Sequence, residues 1–199
     1  MGLKNPFELV RSQLLDRSLL TEIPVNPTKV EVDWRIATAD DIDALTEEDF
    51  RYDERRKEFS RQNLAEGNIC VIGYVDEVPG HVGWITFKRL YSFPFELPLG
   101  EGWIYLQRAR TSPKFPGLGL HGAGIAKRLE VAREAGAVRS VNMVDLNNEI
   151  SLHNFHKLGF IDWYKIWGLG FNGRRLIDRI PANIKATIAA PATSGDANG

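Results

Sequence analysis

Ser112–Gly136 reads SPKFPGLGLHGAGIAKRLEVAREAG. It places four glycines, Gly117, Gly119, Gly122 and Gly124, within eight residues and then passes at once into a helical pattern. A glycine-rich turn that opens a helix is a ready anion site. The first amide N–H groups have no partner, the helix dipole adds partial positive charge, and glycine lets the backbone close around a phosphate. The fold follows from which phosphate this turn serves.

Gly117, Gly119 and Gly122 satisfy Gly-x-Gly-x-x-Gly, and Asp145 ends the next strand, near where a dinucleotide fold places its ribose acid. Three features oppose that reading. The segment SPKFP separates the strand from the first glycine, and its prolines do not belong in a central strand. Too little chain follows Asp145 to build the second half of a doubly wound sheet. The strands before the glycines read as hairpins, which give an antiparallel sheet.

Working outward, VEVDWRIAT from Val30 alternates as a strand, and TADDIDALTEEDF follows as a helix capped by Thr38 with acids in its first turn. YDERRKEFSRQNLAEG reads as a charged helix ending at Gly67, its Arg55-Arg56-Lys57 run a solvated face. NICVIGYVDEVPGHVGWITFKRL reads as a hairpin turning around Pro79-Gly80, and YSFPFELPLGEG as a long loop before the strand WIYLQRART. After the glycine turn and its helix come the strand VRSVNMVDL, a short helix NEISLHNFHKLG, and a last pair of strands turning near Asn172-Gly173. From Pro6 to Leu20 the apolar residues recur at roughly helical spacing. This segment reads as an amphipathic helix outside the main fold, covering a hydrophobic edge, with a homodimer contact as the alternative. PVNPTK reads as a linker, and the Ala/Pro/Thr/Ser/Gly-rich tail from Pro181 as disordered.

Two motifs carry a resemblance. In PGLGLH (Pro116–His121), preceded by Pro113, the glycines stand where the GNAT superfamily of acyl-CoA N-acyltransferases has Arg/Gln-x-x-Gly-x-Gly/Ala. Pro116 replaces the usual Arg or Gln, and His121 the usual Gly or Ala. NNEISLHNFHKLGF resembles the family's second signature, with Asn148, Ser151, Phe155, Lys157, Gly159 and Phe160 in register. A second register, HGAGIA, matches the glycine positions better, but only the first leaves the helix up to Gly136 its usual length of about four turns. It leaves Gly122 and Gly124 inside the helix, at roughly 1 kcal/mol each relative to Ala.

The resemblance covers about Val30 to Ile180. It implies an α/β (α+β) fold with a mixed, mostly antiparallel sheet flanked by helices. The chain then divides into an N-terminal helical extension (1–28), an acyltransferase domain (29–180) and a tail (181–199). It also implies direct transfer of an acetyl or longer acyl group from acyl-CoA to an amine of a small molecule or peptide. Amides of Gly117, Leu118, Gly119, Leu120 and His121 would hold the pyrophosphate. Backbone of Ala109, Arg110 and Thr111 would hold the pantetheine arm, with Asn148, Ser151 and Phe155 on its other side. The family's usual general acid is a Tyr where this chain has Phe155. His156, Tyr164 and His121 are the nearest groups able to replace it. Glu101, before the fourth strand, stands where relatives carry an acid, and Tyr105 and Gln107 alternate toward the acceptor. A degenerate, acyl-CoA-binding module is the alternative.

Composition sets the outer bounds. The formal net charge of −1 gives no global field for nucleic acid. Cys70 is the one cysteine, so no internal disulfide or cysteine-rich metal site forms, which fits a cytoplasmic setting. No apolar run is long enough to span a bilayer, and charges interrupt the N-terminus where a signal peptide would need an apolar core.

Overall fold

The computed structural model describes residues 6–193. An eight-stranded sheet runs in the order β10-β9-β1-β8-β7-β4-β3-β2. Its strands are β1 (Phe7–Ser18), β2 (Asp33–Ile36), β3 (Ile69–Val75), β4 (Val78–Thr86), β7 (Trp103–Thr111), β8 (Arg139–Asp145), β9 (Ile161–Phe171) and β10 (Arg174–Arg179). All neighbouring pairs are antiparallel except β7 and β8. The antiparallel hairpins exclude the doubly wound parallel sheet that a dinucleotide fold requires.

Helices α1 (Ala39–Ala44), α2 (Glu47–Phe50) and α3 (Glu54–Ala65) are each opened by a side-chain cap, from Thr38, Thr46 and Asp53. At α1, Thr38 and Asp41 form a reciprocal capping box, which satisfies two otherwise orphaned N–H groups. Residues of these helices pack with Cys70, Ile72, Val82 and Trp84 of β3 and β4. A small hairpin of β5 (Arg89–Ser92) and β6 (Phe95–Pro98) packs with α6 (Ala182–Ala189), Leu14, Tyr105 and Val141. Side chains alternate along a strand, so the neighbours Leu15, Ile104 and Leu106 point to the other face, where α4 (Leu120–Glu134) and α5 (Glu149–Lys157) complete a second core.

Three expectations are corrected. The N-terminal segment is not an outlying helix: β1 is an interior strand, paired with β8 on one side and β9 on the other. It is buried on both faces from Ser12 to Arg17, so its apolar residues do not alternate, and their spacing imitates a helix. Two polar residues there serve tertiary partners that the local sequence does not show. Asp16 receives two hydrogen bonds from Arg139, at 2.9 and 2.5 Å, and Arg17 donates to the carbonyls of Leu158 and Glu22. The β3–β4 turn lies at Asp76-Glu77, with φ of 48° and 62°, while Pro79 and Gly80 lie within β4. A two-residue turn with both φ positive follows the strand twist, but Asp-Glu lacks the usual Asn-Gly signal. The Asn172-Gly173 turn carries that signal and lies where it was read. Finally, part of the tail is ordered as α6, because Ile184 and Ile188 are buried against the β5–β6 hairpin. Residues 194–199 and 1–5 lie outside the described residues. No helix among the described residues is long and apolar enough to cross a membrane.

The interior position of β1 is testable. Leu14 is fully buried, so Leu14→Ala is expected to cost about 2–5 kcal/mol, read as a lower urea midpoint. A cost within about 0.5 kcal/mol, typical of a surface site, would mean that β1 is peripheral.

Candidate functional site

The site begins where the sheet fails to close. β7 and β8 lie side by side but pair only at Trp103–Arg139 and Ile104–Ser140. One step further, the N–H of Leu106 donates to the side-chain Oδ1 of Asn142 at 3.2 Å rather than to a strand carbonyl. Asn142 is buried and is steadied by its own donation to Ser140 Oγ at 2.8 Å. Its amide therefore stands between the strands, satisfies the backbone and lets them part. The opening is a cleft of about 190 Å³ whose walls include Tyr105–Ala109, His121, Asn148, Ser151 and Phe155.

On its other edge β7 pairs with β4 through a bulge. Val82 faces Arg110 and Trp84 faces Gln107, so Arg108 and Ala109 both stand opposite Gly83. Arg108 takes up the extra residue with a φ of 52°. A bulge leaves part of the ladder unpaired and re-aims the backbone. Here it does so beside the parted strands.

The glycine turn enters α4 in the first register, with Gly119 as N-cap at φ 83° and the helix starting at Leu120. No side chain caps it, so its first amide N–H groups are available to an anion. The glycines divide by role. A Cβ on Gly117 would meet nothing within 4 Å. A Cβ on Gly119 would lie 2.9 Å from the Pro27 carbonyl oxygen, and one on Gly122 would collide with Asn26. PVNPTK is thus more than a linker: it crosses the helix entrance, where Lys29 N donates to Leu118 O at 3.1 Å. Gly124 makes room for His81 and Trp34, whose rings a Cβ would meet at 2.5 and 3.2 Å. The two glycines inside the helix are packing sites, which accounts for tolerating their helix cost.

Arg128 is the buried cation of the site. Its guanidinium lies against Gly83, whose Cβ would come within 2.7 Å of Cζ, and Nε donates to Gly124 O at 2.9 Å. No carboxylate lies within 4.0 Å of it among the described residues. Burial lowers its pKa to about 10, so it stays charged near neutrality. Burial first, and then the Arg128 charge, push His121 down to about 4 and His81 well below the usual histidine value. Both rings are neutral at pH 7. His121 Nε2 lies 3.3 Å from Ser151 Oγ, and His81 Nδ1 lies 3.0 Å from Thr111 Oγ1.

The fold brings together most of the residues singled out for acyl-CoA. Ala109, His121, Asn148, Ser151 and Phe155 line the parted strands, and Arg110 and Thr111 continue β7 beyond them. Asn148 caps α5 through its oxygen to Ser151 N at 3.1 Å, which leaves its amide N–H₂ without a protein partner among the described residues. Phe155 is buried edge-on against Phe160. The candidate catalytic residues fare differently. Tyr105 lines the cleft, but its phenol is pushed up to about 12 by burial and stays protonated. Glu101 sits in the turn before β7, at the closed end, where its carbonyl accepts from Ala192 N. His156 is exposed on α5 and paired with Asp162 at 2.8 Å. Tyr164 lies on β9, opposite Leu14. None of these three lines the cleft. Asn142 and Arg128 were missed, since a strand asparagine and a helix arginine carry no local signal of their task.

A second cleft, of about 700 Å³, opens between α3, the β5–β6 hairpin and β7. Tyr91, expected in a loop, stands on its wall, while Phe95 and Leu97 of the same segment join Leu90 in the core against Leu14. Arg108 and Ala109 belong to both clefts, so the two meet at the β7 bulge.

Comparison with known proteins identifies the family and the fold. Residues 36–160 match the model of the acetyltransferase (GNAT) family. A GCN5-related N-acetyltransferase from Kribbella flavida aligns with a TM-score of 0.58 at 17% identity, over 84% of this chain and 61% of that one. The structure of yncA from Salmonella typhimurium with its cofactor acetyl-CoA gives 0.53 at 18% identity, over 74% of this chain and 89% of that one. A tandem GNAT protein from the clavulanic acid biosynthesis pathway gives 0.59 at 12% identity, over 85% and 55%. The chain spans 52–63% of the length of three of the solved structures that it matches, and at these identities the likeness is one of fold. No curated protein matched.

The neutral histidines set a pH dependence. His121 binds a proton near pH 6.5 when unfolded but only near 4 when folded. As pH falls from 7 to 5 the unfolded state takes up a proton that the folded state refuses, so stability is lost. The loss is about 1–2 kcal/mol for this residue. Urea unfolding across that range should show the loss, and His121→Asn should flatten the slope; an unchanged slope would mean that the ring titrates normally.

Proposed function

Since the chain belongs to the GNAT acetyltransferase family, we propose that it transfers an acetyl or longer acyl group from acyl-CoA directly to an amine. The observation that carries this reading is the parting of β7 from β8 beside an uncapped helix N-terminus. A phosphate at that terminus and an extended arm between the strands suit one ligand with both parts. Amides from Gly117 to His121 hold the pyrophosphate. The β7 backbone from Ala109 to Thr111 and the Asn148 amide hold the arm.

The amine enters through the larger cleft and meets the thioester at the bulge. Holding both partners there supplies proximity. The amine lone pair forms the C–N bond, the C–S bond breaks with its electrons on sulfur, and the amine proton leaves to water through the open cleft. Phe155 has no proton to give. The charge developing on sulfur is met instead by Arg128, whose cation has no carboxylate to neutralise it, and by the neutral His121 ring. Preorganised charge in a partly dry site stabilises a leaving anion without a proton donor. Tyr105 serves as a wall, and Glu101 and His156 take no part. Phe155 also favours one second reading, a binding module that holds acyl-CoA without turnover.

Thermal unfolding with acetyl-CoA, palmitoyl-CoA, coenzyme A, NAD and FAD tests the binding. Ligand at about 100 times its Kd stabilises by roughly 2.7 kcal/mol, several degrees in midpoint. The CoA compounds should shift the midpoint, and a shift with NAD or FAD alone would overturn the reading. Gly117 is the position to alter, because its side is open and Asp and Asn tolerate its left-handed φ. Gly117→Asp should weaken coenzyme A at least tenfold while Gly117→Asn does not; equal affinities would remove the pyrophosphate from this turn. Arg128→Met should keep or raise the thermal midpoint, since replacing a buried unpaired cation by an apolar side chain relieves desolvation. It should also lower kcat for amine acylation at least tenfold. Unchanged kcat would free Arg128 from the chemistry, and coenzyme A binding without turnover of any amine would favour the module.

A further inference from the structure

The larger cleft differs electrically from the rest of the molecule. Arg55 and Arg56 of α3, and Arg108 and Arg110 of β7, line it with one acid, Asp53. The whole chain carries a net charge of −1, so this concentration of positive charge is local.

None of the four arginines has a carboxylate within 4.0 Å among the described residues. The contrast within α3 is informative. Lys57 and Arg61 are paired with Glu54, Asp43 and Glu58, while Arg55 and Arg56 on the cleft side have no carboxylate partner, Arg56 donating instead to the Arg51 carbonyl. Asp53 is already engaged as the cap of α3, accepting from Arg56 N at 2.8 Å. Arg108 is held in place by stacking on Phe59, 4.1 Å from the ring centroid. Arg110 has its pKa lowered by burial and by the nearby charges of Arg51 and Arg56, so these cations repel one another across the opening. An anion placed among them relieves that repulsion, and guanidinium groups match the planar geometry of carboxylate and the oxygens of phosphate. Phe59 and Tyr91 add an apolar wall.

We propose that the amine acceptor carries an oxyanion, a carboxylate or a phosphate, seated among Arg55, Arg56, Arg108 and Arg110 with its amine at the β7 bulge. The proposal rests on the acyl-transfer reading and deepens it. Cationic polyamines and basic peptides are excluded from this cleft by the same charges.

Calorimetric binding of matched probes tests it without requiring turnover. N-acetylphenylalanine is compared with N-acetylphenylalaninamide for a carboxylate, and glucosamine 6-phosphate with glucosamine for a phosphate, on the protein with and without coenzyme A. At least one anionic member should bind at least tenfold more tightly than its partner, and which pair does so identifies the oxyanion. In Arg55→Gln/Arg56→Gln that preference should fall at least tenfold with the thermal midpoint and coenzyme A affinity unchanged, since both residues lie on an exposed helix face outside the parted strands. Equal or tighter binding of the members that lack the oxyanion, a preference that survives the double substitution, or no binding by any probe would each overturn the proposal. Failure of the acyl-transfer reading is separate: coenzyme A would then not bind at all, whatever the probes do.

Discussion

One side-chain amide holds the site open. Two neighbouring parallel strands would ordinarily continue their ladder until one of them ends. Here Asn142 takes the Leu106 N–H that a strand carbonyl would have taken. The buried backbone donor is satisfied, so the separation of β7 from β8 does not leave an orphaned group inside the protein. The helix entrance, the β7 bulge and the cleft walls all derive their use from that separation. Without it the uncapped N-terminus of α4 would face a closed sheet.

The rest of the molecule braces the gap from both sides. On one side β4 supports β7, and Gly83 admits the Arg128 guanidinium beneath the bulge. On the other, β1 is wedged between β8 and β9 and ties them with paired backbone and with the buried Asp16–Arg139 ion pair. Arg17 on the same strand donates to the carbonyl at the end of α5, the helix whose other end carries Asn148 and Ser151. An N-terminal segment thus sets the position of a helix that lines the cleft. The site's charge follows a similar logic. A buried cation without a carboxylate is costly to keep, and its charge adds to the burial that keeps both nearby histidines neutral.

The motifs most visible in the sequence were those written in local backbone physics. The glycine turn, its helix and the Asn172-Gly173 turn each rely on contiguous residues, and the structure has each of them at the expected residues. The linkage of glycine to phosphate was only partly legible. Gly117 faces open space, but Gly119, Gly122 and Gly124 are small because Pro27, Asn26 and His81 press against them. A close approach of distant chain and a close approach of ligand select the same residue, so the glycine pattern does not distinguish them. The acid and base candidates were the least legible. Glu101 rests on likeness to relatives that carry an acid before the fourth strand and His156 on its nearness in sequence to Phe155, and the end of the strand and the face of the helix on which they fall put them elsewhere.

By itself, the order of amphipathic strands and capped helices determined the mixed, mostly antiparallel architecture, the family likeness and the place of the glycine turn. These rest on periodicity, turn chemistry and the unpaired amides of a helix start, all of which act over a few residues. Only the tertiary structure decided that Phe7–Ser18 is a central strand, because a segment buried on both faces has no polar side to mark its period. It also decided that Asn142 parts the strands, that Arg128 lies unpaired beneath them and that four arginines converge on one cleft. Each of these is a relation between residues far apart in the chain, and its energy exists only once folding has brought the partners together.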